Sequence, residues 1–157
     1  MVMLTCEFPS GDTFHFRHVV LDALVVKDDK LLLVKRPKNS WAGAGLWALA
    51  GGYAERDETL EHGVLREVQE ETGYNGKIQS LFKINADPNR DDVQNVQFVY
   101  IIEAGEIVSE TDGEVEKSEW FNLGELPKED EIAFDHASVI SQYQTYLKKK
   151  HSLPIVI

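Results

Sequence analysis

The sequence GYAERDETLEHGVLREVQEETGY, residues 52–74, contains six glutamates, a dense grouping of like charge. Within it, four apolar residues recur at the spacing of one helical face: Leu60, Val64, Leu65 and Val68. Gly73 follows where a C-terminal cap is expected. The pattern predicts a helix over residues 59–72.

Three of the glutamates share one face of this helix. Glu67 lies three residues before Glu70 and four before Glu71, so their side chains project together beside the apolar stripe. Like charges at these spacings destabilise an isolated helix by about 0.2–0.5 kcal/mol per pair. Carboxylate clusters of this kind bind hard divalent cations such as Mg²⁺ and Mn²⁺. The alternative is a solvated acidic face without a ligand.

The composition is that of a globular chain with an acidic surface. The 157 residues suit one domain, 1–157, and 43% of them are hydrophobic. The formal net charge of −11 argues against binding to a nucleic-acid polymer or to an anionic membrane. An anionic ligand would therefore need local cations or metal ions.

The cysteine count and the N-terminal sequence bear on the compartment. Cys6 is the only cysteine, which excludes an intramolecular disulfide and a cysteine-based zinc site. The N-terminal MVMLTCEFPSGDTF lacks the basic and apolar regions of a signal peptide, and no apolar run approaches the length of a membrane span. We expect a cytoplasmic protein.

Apolar runs on both sides of residues 52–74 predict strands. HVVLDALVV (18–26) and KLLLVKR (30–36) predict a hairpin, and LWALAGG (46–52) predicts a short strand that ends in a Gly-Gly turn. KIQSLFKINA (77–86) and NVQFVYIIEA (95–104) predict two more strands.

The C-terminal part predicts a last strand and a second helix. An acidic loop leads to WFNL (120–123), and DHASVISQYQTYLKKK (135–150) has the pattern of an amphipathic helix with lysines at its C-terminal end. We expect one mixed β-sheet covered by helices to account for the whole chain.

The spacing of polar residues and glycines in residues 52–74 resembles the Nudix box, the signature of the Nudix hydrolases. Gly52, Glu58 and the run from Arg66 to Gly73 match every fixed polar and glycine position of that signature. Seven such identities coincide by chance with a probability of about 10⁻⁸ per starting position.

The resemblance extends beyond the box, because the order of strands and helices matches over most of residues 17–150. It implies the Nudix fold, an α/β (α+β) arrangement in which a mixed β-sheet is sandwiched between helices. Tyr74 departs from the aliphatic residue that closes the box, and we expect this departure to affect packing only.

Nudix hydrolases of this kind cleave a nucleoside diphosphate linked to another group, with Mg²⁺ or Mn²⁺ as cofactor. The resemblance implies that Glu67, Glu70 and Glu71 bind metal, that the Gly51 carbonyl adds a ligand, and that Glu70 and Glu71 are catalytic. A metal lowers the pKa of bound water and neutralises charge on the diphosphate. It would also give an acidic protein affinity for an anionic substrate.

Three further box residues are expected to support the metal ligands. Arg66 should point away from Glu67 and pair with Glu58, holding the loop against the helix. Gly52, next to Gly51, permits a tight loop and a close approach of the backbone to the metal.

A general base is expected in the acidic loop before the last strand. Among Glu114, Glu116 and Glu119 in TDGEVEKSEW, we choose Glu114. The alternative is that this loop is a solvated charge run, and that a box glutamate or a metal-bound hydroxide is sufficient.

Short segments suggest a subgroup of the family. DPNRDD (87–92), AFDH (133–136) and Asp22 are similar to parts of ADP-ribose pyrophosphatases. That subgroup commonly has a second arginine and a proline where this chain has Asp92 and Ala50. His136, within AFDH, could instead cap or pack the last helix.

The candidate substrate-binding residues are two arginines and several aromatic residues. Arg36 and Arg90 would bind phosphate or ribose, and Trp41, Trp47 or Phe134 would stack on a base. Core packing is the alternative for each aromatic residue.

The leading function is therefore hydrolysis of ADP-ribose or a related nucleotide sugar to a nucleoside monophosphate and a sugar phosphate. A second enzymatic reading is hydrolysis of noncanonical nucleoside triphosphates or dinucleoside polyphosphates. A non-enzymatic alternative is a Nudix-fold nucleotide sensor. The protein could also form a homodimer, although no residue decides this.

Overall fold

The computed structural model describes residues 4–157, and residues 1–3 of the predicted domain 1–157 lie outside the described part. Its elements follow in the order β1 Leu4–Glu7, β2 Thr13–Phe16, β3 Val19–Lys27, β4 Lys30–Lys35, β5 Trp47–Ala48, β6 Ala50–Tyr53, α1 Leu60–Thr72, β7 Tyr74–Asn85, β8 Val96–Ile107, β9 Lys117–Asn122, a 3₁₀ turn Glu129–Glu131, α2 His136–Lys149 and β10 Ile155–Val156.

Eight of the strands form one mixed sheet. The order is β10-β7-β8-β3-β4-β5, with β6 paired to β3 and β9 paired to β4. β3 runs parallel to β8 and antiparallel to β4 and β6, and its register places Asp22 beside Gly51. The predicted mixed sheet is confirmed. LWALAGG forms two short strands rather than one, because β5 pairs with β4 and β6 pairs with β3.

The two helices cover opposite faces of the sheet. Val64 and Val68 of α1 join the apolar core that includes Leu21, whereas Val139 of α2 joins the core that includes Leu24. Burying each such side chain contributes about 1.5–3 kcal/mol. The predicted sandwich of a sheet between helices is therefore confirmed.

The boundaries of α1 follow from its caps. The Thr59 hydroxyl accepts a hydrogen bond from the His62 N–H at 3.2 Å, and Gly73 ends the helix in the left-handed conformation with φ +76°. The helix predicted over residues 59–72 is confirmed, with Thr59 as its N-cap.

The expectation of a single sheet is wrong at the N-terminus. β1 and β2 form a separate two-stranded sheet, with Leu4 opposite Phe16 in register. Residues 5–17 are all exposed, so no apolar face of this hairpin is buried against the main sheet. Across residues 4–157, no helix has the length and apolar character needed to cross a membrane.

Candidate active site

Glu71 of α1 reaches across to β6. Its Oε2 accepts a hydrogen bond from the Gly51 N–H at 2.9 Å, and the residue is 6% exposed. Burial raises the pKa of Glu71 to about 8; the Gly51 N–H opposes this rise and the nearby Glu67 carboxylate adds to it. A buried carboxylate in this environment would be stabilised by a cation.

Glu67 lies against Gly52. A Cβ atom at residue 52 would lie 2.6 Å from Glu67 Oε1, so a larger residue there would displace the carboxylate. Burial raises the pKa of Glu67, and although Arg66 opposes this rise, Glu70 and Glu114 add to it. Helix α1, packed against Gly52 of β6, therefore brings several negative charges to one place.

Arg66 connects the acidic residues of the box. Its Nε and one terminal nitrogen donate to the two Glu58 oxygens at 3.0 and 2.9 Å, which lowers the pKa of Glu58 to about 2. Its other terminal nitrogen donates to Glu67 Oε1 and Glu70 Oε2, both at 2.8 Å. The expected pairing with Glu58 is present. The expectation that Arg66 points away from Glu67 is wrong, because the guanidinium lies between two carboxylates that would otherwise repel each other.

The predicted metal ligands form an oxygen-only donor set, which fits the preference of Mg²⁺ and Mn²⁺. The raised pKa of Glu71 is also consistent with a cation site, because this carboxylate has no cationic hydrogen-bond partner among residues 4–157. As the side chains stand in this part of the chain, no group of three or more His, Cys, Asp or Glu residues is arranged to hold a metal. Arg66 contacts one oxygen of Glu67 and one oxygen of Glu70, which leaves the second oxygen of each carboxylate without a contact from Arg66.

The loop before β9 lies beside the box. The Asp112 N–H donates to the Glu70 carbonyl at 2.9 Å, and the Glu114 N–H donates to Asp112 Oδ1 at 2.9 Å. Glu114 is exposed, and its charge acts on Glu67. Glu114 is therefore placed near the candidate metal ligands, and Asp112 is a neighbour that the sequence did not single out.

A cavity of about 360 Å³ opens beside Gly51 and Gly52 of β6. It is lined by four of the five candidate substrate-binding residues, all except Trp47, and by both glycines: Arg36, Trp41, Arg90, Phe134, Gly51 and Gly52. The candidate metal ligand Gly51 and the candidate substrate residues therefore share one space.

The aromatic residues of the cavity are available to a ligand. Trp41 is 80% exposed and Phe134 is 53% exposed, so core packing does not account for either side chain. The Arg36 guanidinium carbon lies 5.1 Å from the centre of the Phe134 ring, a cation–π contact. Trp47, in contrast, is buried and packs edge-on against Phe121. Its role is therefore core packing, the alternative to stacking on a base.

Arg90 is held in the cavity wall by two carboxylates. Its terminal nitrogens lie 2.6 Å from Asp91 and 3.1 Å from Asp135, and its side chain is 9% exposed. Its Nε is buried without a hydrogen-bond partner among the described residues. Much of its donor capacity is thus already in use, unlike that of Arg36.

Two residues of the cavity lining, Asp22 and His136, belong to a chain of buried polar side chains. His136 Nδ1 accepts a hydrogen bond from the Leu49 N–H at 3.0 Å, and its Nε2 lies 3.3 Å from Asp22 Oδ1. Asp22 Oδ2 accepts from Gln97 Nε2 at 2.8 Å. Burial opposes ionisation of Asp22, but His136, Gln97 and Arg90 together lower its pKa. The sequence marked Asp22 and His136 only as parts of similar segments.

The chain is similar to one protein family and to several proteins of known kind. The family model described as NUDIX domain matches residues 16–143. An ADP-ribose pyrophosphatase of Methanocaldococcus jannaschii is 37% identical over 131 residues, covering 82% of this chain and 73% of that protein. A CTP pyrophosphohydrolase of Escherichia coli is 41% identical over 59 residues, covering 38% of this chain and 43% of that protein.

Solved structures share the fold. An ADP-ribose pyrophosphatase from Streptococcus suis has a TM-score of 0.73 at 20% identity, covering 90% of this chain and 100% of that one. A bifunctional NMN adenylyltransferase/ADP-ribose pyrophosphatase from Francisella tularensis, complexed with AMP and a manganese ion, has a TM-score of 0.65 at 25% identity, covering 87% of this chain and 42% of that one. With the box residues, these matches show that the chain belongs to the Nudix hydrolase family.

Proposed function

We propose that this pyrophosphohydrolase cleaves ADP-ribose or a related nucleotide sugar to a nucleoside monophosphate and a sugar phosphate. The observation that carries the proposal is the cavity beside the β6 glycines, which is lined by two arginines and two exposed aromatic residues: Arg36, Arg90, Trp41 and Phe134. The 37% identity to an ADP-ribose pyrophosphatase supports the same substrate class.

Glu67, Glu70, Glu71 and the Gly51 carbonyl would hold Mg²⁺ or Mn²⁺, which when bound supplies charge neutralisation on the diphosphate and a more acidic water. Arg66 and Glu58 keep the glutamates in place, and Gly52 leaves room for Glu67. The related Francisella tularensis structure, complexed with AMP and a manganese ion, is consistent with this assignment.

The remaining roles concern the substrate. Arg36 would pair with a phosphate oxygen, and Trp41 or Phe134 would stack on the base. As water attacks one phosphorus, a P–O bond forms, the bridging P–O bond breaks, and Glu114 would accept the proton from the water. The sugar phosphate and the nucleoside monophosphate then leave.

Three broader assignments belong to the proposal. Residues 1–157 would form one domain, the protein would work in the cytoplasm, and a homodimer stays a prediction. The substrate is a small nucleotide, without a nucleic-acid polymer or a membrane as partner, in keeping with the net charge of −11.

The test is product analysis over ADP-ribose, nucleotide sugars, dinucleoside polyphosphates and nucleoside triphosphates, each with Mg²⁺ or Mn²⁺. We expect AMP from ADP-ribose, loss of turnover in Glu70→Gln and Glu71→Gln, and normal turnover in Glu61→Gln, which changes an exposed glutamate of the same helix. Release of pyrophosphate from a triphosphate with no cleavage of ADP-ribose would favour the second enzymatic reading. Nucleotide binding without turnover of any substrate would favour the sensor.

A further inference from the structure

His136 forms a hydrogen bond to the backbone at Leu49, the residue between β5 and β6. Its Nδ1 accepts a hydrogen bond from the Leu49 N–H at 3.0 Å. Because this nitrogen is the acceptor, a neutral ring carries its proton on Nε2, the nitrogen 3.3 Å from Asp22 Oδ1. The residue is 4% exposed, which leaves the ring little room to turn. The buried Asp22 carboxylate therefore fixes both the orientation of the ring and the position of its proton.

Asp22 is itself fixed on both sides. Its second oxygen accepts from Gln97 at 2.8 Å, and its backbone pairs with Gly51 in the register of β3 and β6. A Cβ atom at residue 51 would lie 2.1 Å from the Leu21 carbonyl oxygen and 3.0 Å from Asp22 Oδ1. The glycine backbone is thus seated directly on β3 beside this carboxylate.

The same short segment carries a candidate metal ligand. Two residues after Leu49, the Gly51 N–H donates to Glu71, and the Gly51 carbonyl is the proposed backbone ligand. The two N–H groups thus donate to side chains of different helices. Leu49 donates to His136 at the start of α2, and Gly51 donates to Glu71 near the end of α1. We infer that His136, oriented by Asp22, is a positioning residue of the metal site that sets where the Gly51 carbonyl lies.

This inference rests on the proposed metal site, and it predicts a change in metal affinity rather than in stability alone. Partners that orient metal ligands typically contribute about 10–100-fold in affinity. A residue that only packs the helix would lower the melting temperature and leave the affinity of the folded protein unchanged.

The experiment measures Mn²⁺ affinity of the full chain by calorimetry without substrate, with the melting temperature recorded for each variant. We expect His136→Ala to bind Mn²⁺ about 10–100-fold more weakly. His136→Asn keeps an acceptor near the Nδ1 position and should return to within about threefold of the native affinity, whereas the longer His136→Gln should stay weak. Val139→Ala, in the buried face of the same helix, should lower the melting temperature without changing the affinity.

Native affinity in His136→Ala would overturn the inference, as would equal affinities in His136→Asn and His136→Gln. If His136→Ala does not fold, the comparison of the Asn and Gln variants decides. No Mn²⁺ binding by the native chain, or equal binding by Glu71→Gln, would instead reject the proposed metal site itself.

Discussion

Two buried carboxylates on adjacent parts of the site have pKa values that are shifted in opposite directions. Glu71 is 6% exposed and its pKa is raised to about 8, whereas Asp22 is 3% exposed and its pKa is lowered. Burial opposes ionisation of both groups. Asp22 overcomes it through His136, Gln97 and Arg90, whereas Glu71 has the Gly51 N–H as its hydrogen-bond partner within the described chain.

The difference teaches how this protein divides its acidic residues between structure and chemistry. Removing a buried carboxylate whose partners are all supplied by the protein leaves those partners unsatisfied and destabilises the fold. A buried carboxylate with an incomplete set of partners is available to a cation that arrives from outside. We therefore expect Asp22 to matter mainly for the fold and Glu71 mainly for turnover.

The largest expected effect is on turnover in Glu71→Gln. We expect kcat to fall at least about 10²-fold, because a metal ligand, the role proposed for Glu71, contributes several kcal/mol to the transition state. The amide oxygen can still accept from the Gly51 N–H, so the melting temperature without metal should change little. Steady-state kinetics and thermal unfolding test both parts, and native turnover in this variant would place the chemistry elsewhere.

The next effect is on stability in Asp22→Leu. This change leaves the His136 Nε2–H and one Gln97 N–H without their acceptor, and we expect a loss of about 3 kcal/mol in the free energy of unfolding. Urea unfolding without metal measures it, beside Glu71→Gln, for which the loss should stay below about 1 kcal/mol. Similar losses in the two variants would break the comparison.

A smaller effect is expected for Trp41→Ala, which leaves both carboxylates intact. Stacking on a base is worth about 1–3 kcal/mol, so we expect KM for ADP-ribose to rise about tenfold. Because Trp41 is 80% exposed, the melting temperature should not change. Trp47→Ala should show the reverse, a loss of stability from the core. An unchanged KM in Trp41→Ala would assign the base to another surface.

The smallest effect concerns Glu58, a third carboxylate. Its partners, like those of Asp22, are supplied by the protein. Its pKa in the folded protein is about 2, against 4.5 as the ordinary value, so its contribution is present above pH 4.5 and is lost as the pH falls towards 2. We expect the native chain to exceed Glu58→Gln by about 1 kcal/mol at pH 7, since the pair with Arg66 is partly exposed. Unfolding at pH 7, 4 and 2.5 tests this, and a difference that does not shrink would contradict it.

The box helix could be predicted because its signals are local. The apolar spacing, Thr59 and Gly73 all lie within the helix or at its ends, and the structure begins the helix at Leu60 and ends it at Thr72. The spacing placed Glu67, Glu70 and Glu71 on one face of the helix, and the resemblance to the Nudix box then assigned them, with Gly51, as metal candidates. Local chemistry was therefore enough to place the acidic face.

The remaining features depend on contacts between distant parts of the chain. Leu49 and His136 are 87 positions apart, so no local sequence pattern predicts the contact between the imidazole and the backbone next to the β6 glycines. β10 and the exposed hairpin of β1 and β2 are short, and they lack the buried alternation that marks a strand. Arg66 donates to Glu67 as one of a set of contacts that also includes Glu58 and Glu70. Residue types alone do not predict which of these contacts form.

The parallel pairing of β3 and β8 has a consequence for the order in which the site is assembled. Asp22 and Gln97 are 75 positions apart, and closing so long a loop is slower than winding a helix whose contacts are a few residues apart. During refolding, we expect the helical signal in circular dichroism to appear before the catalytic activity returns. The acidic helix would then exist for a time without the glycine backbone that completes it, and catalysis would mark the last stage of folding.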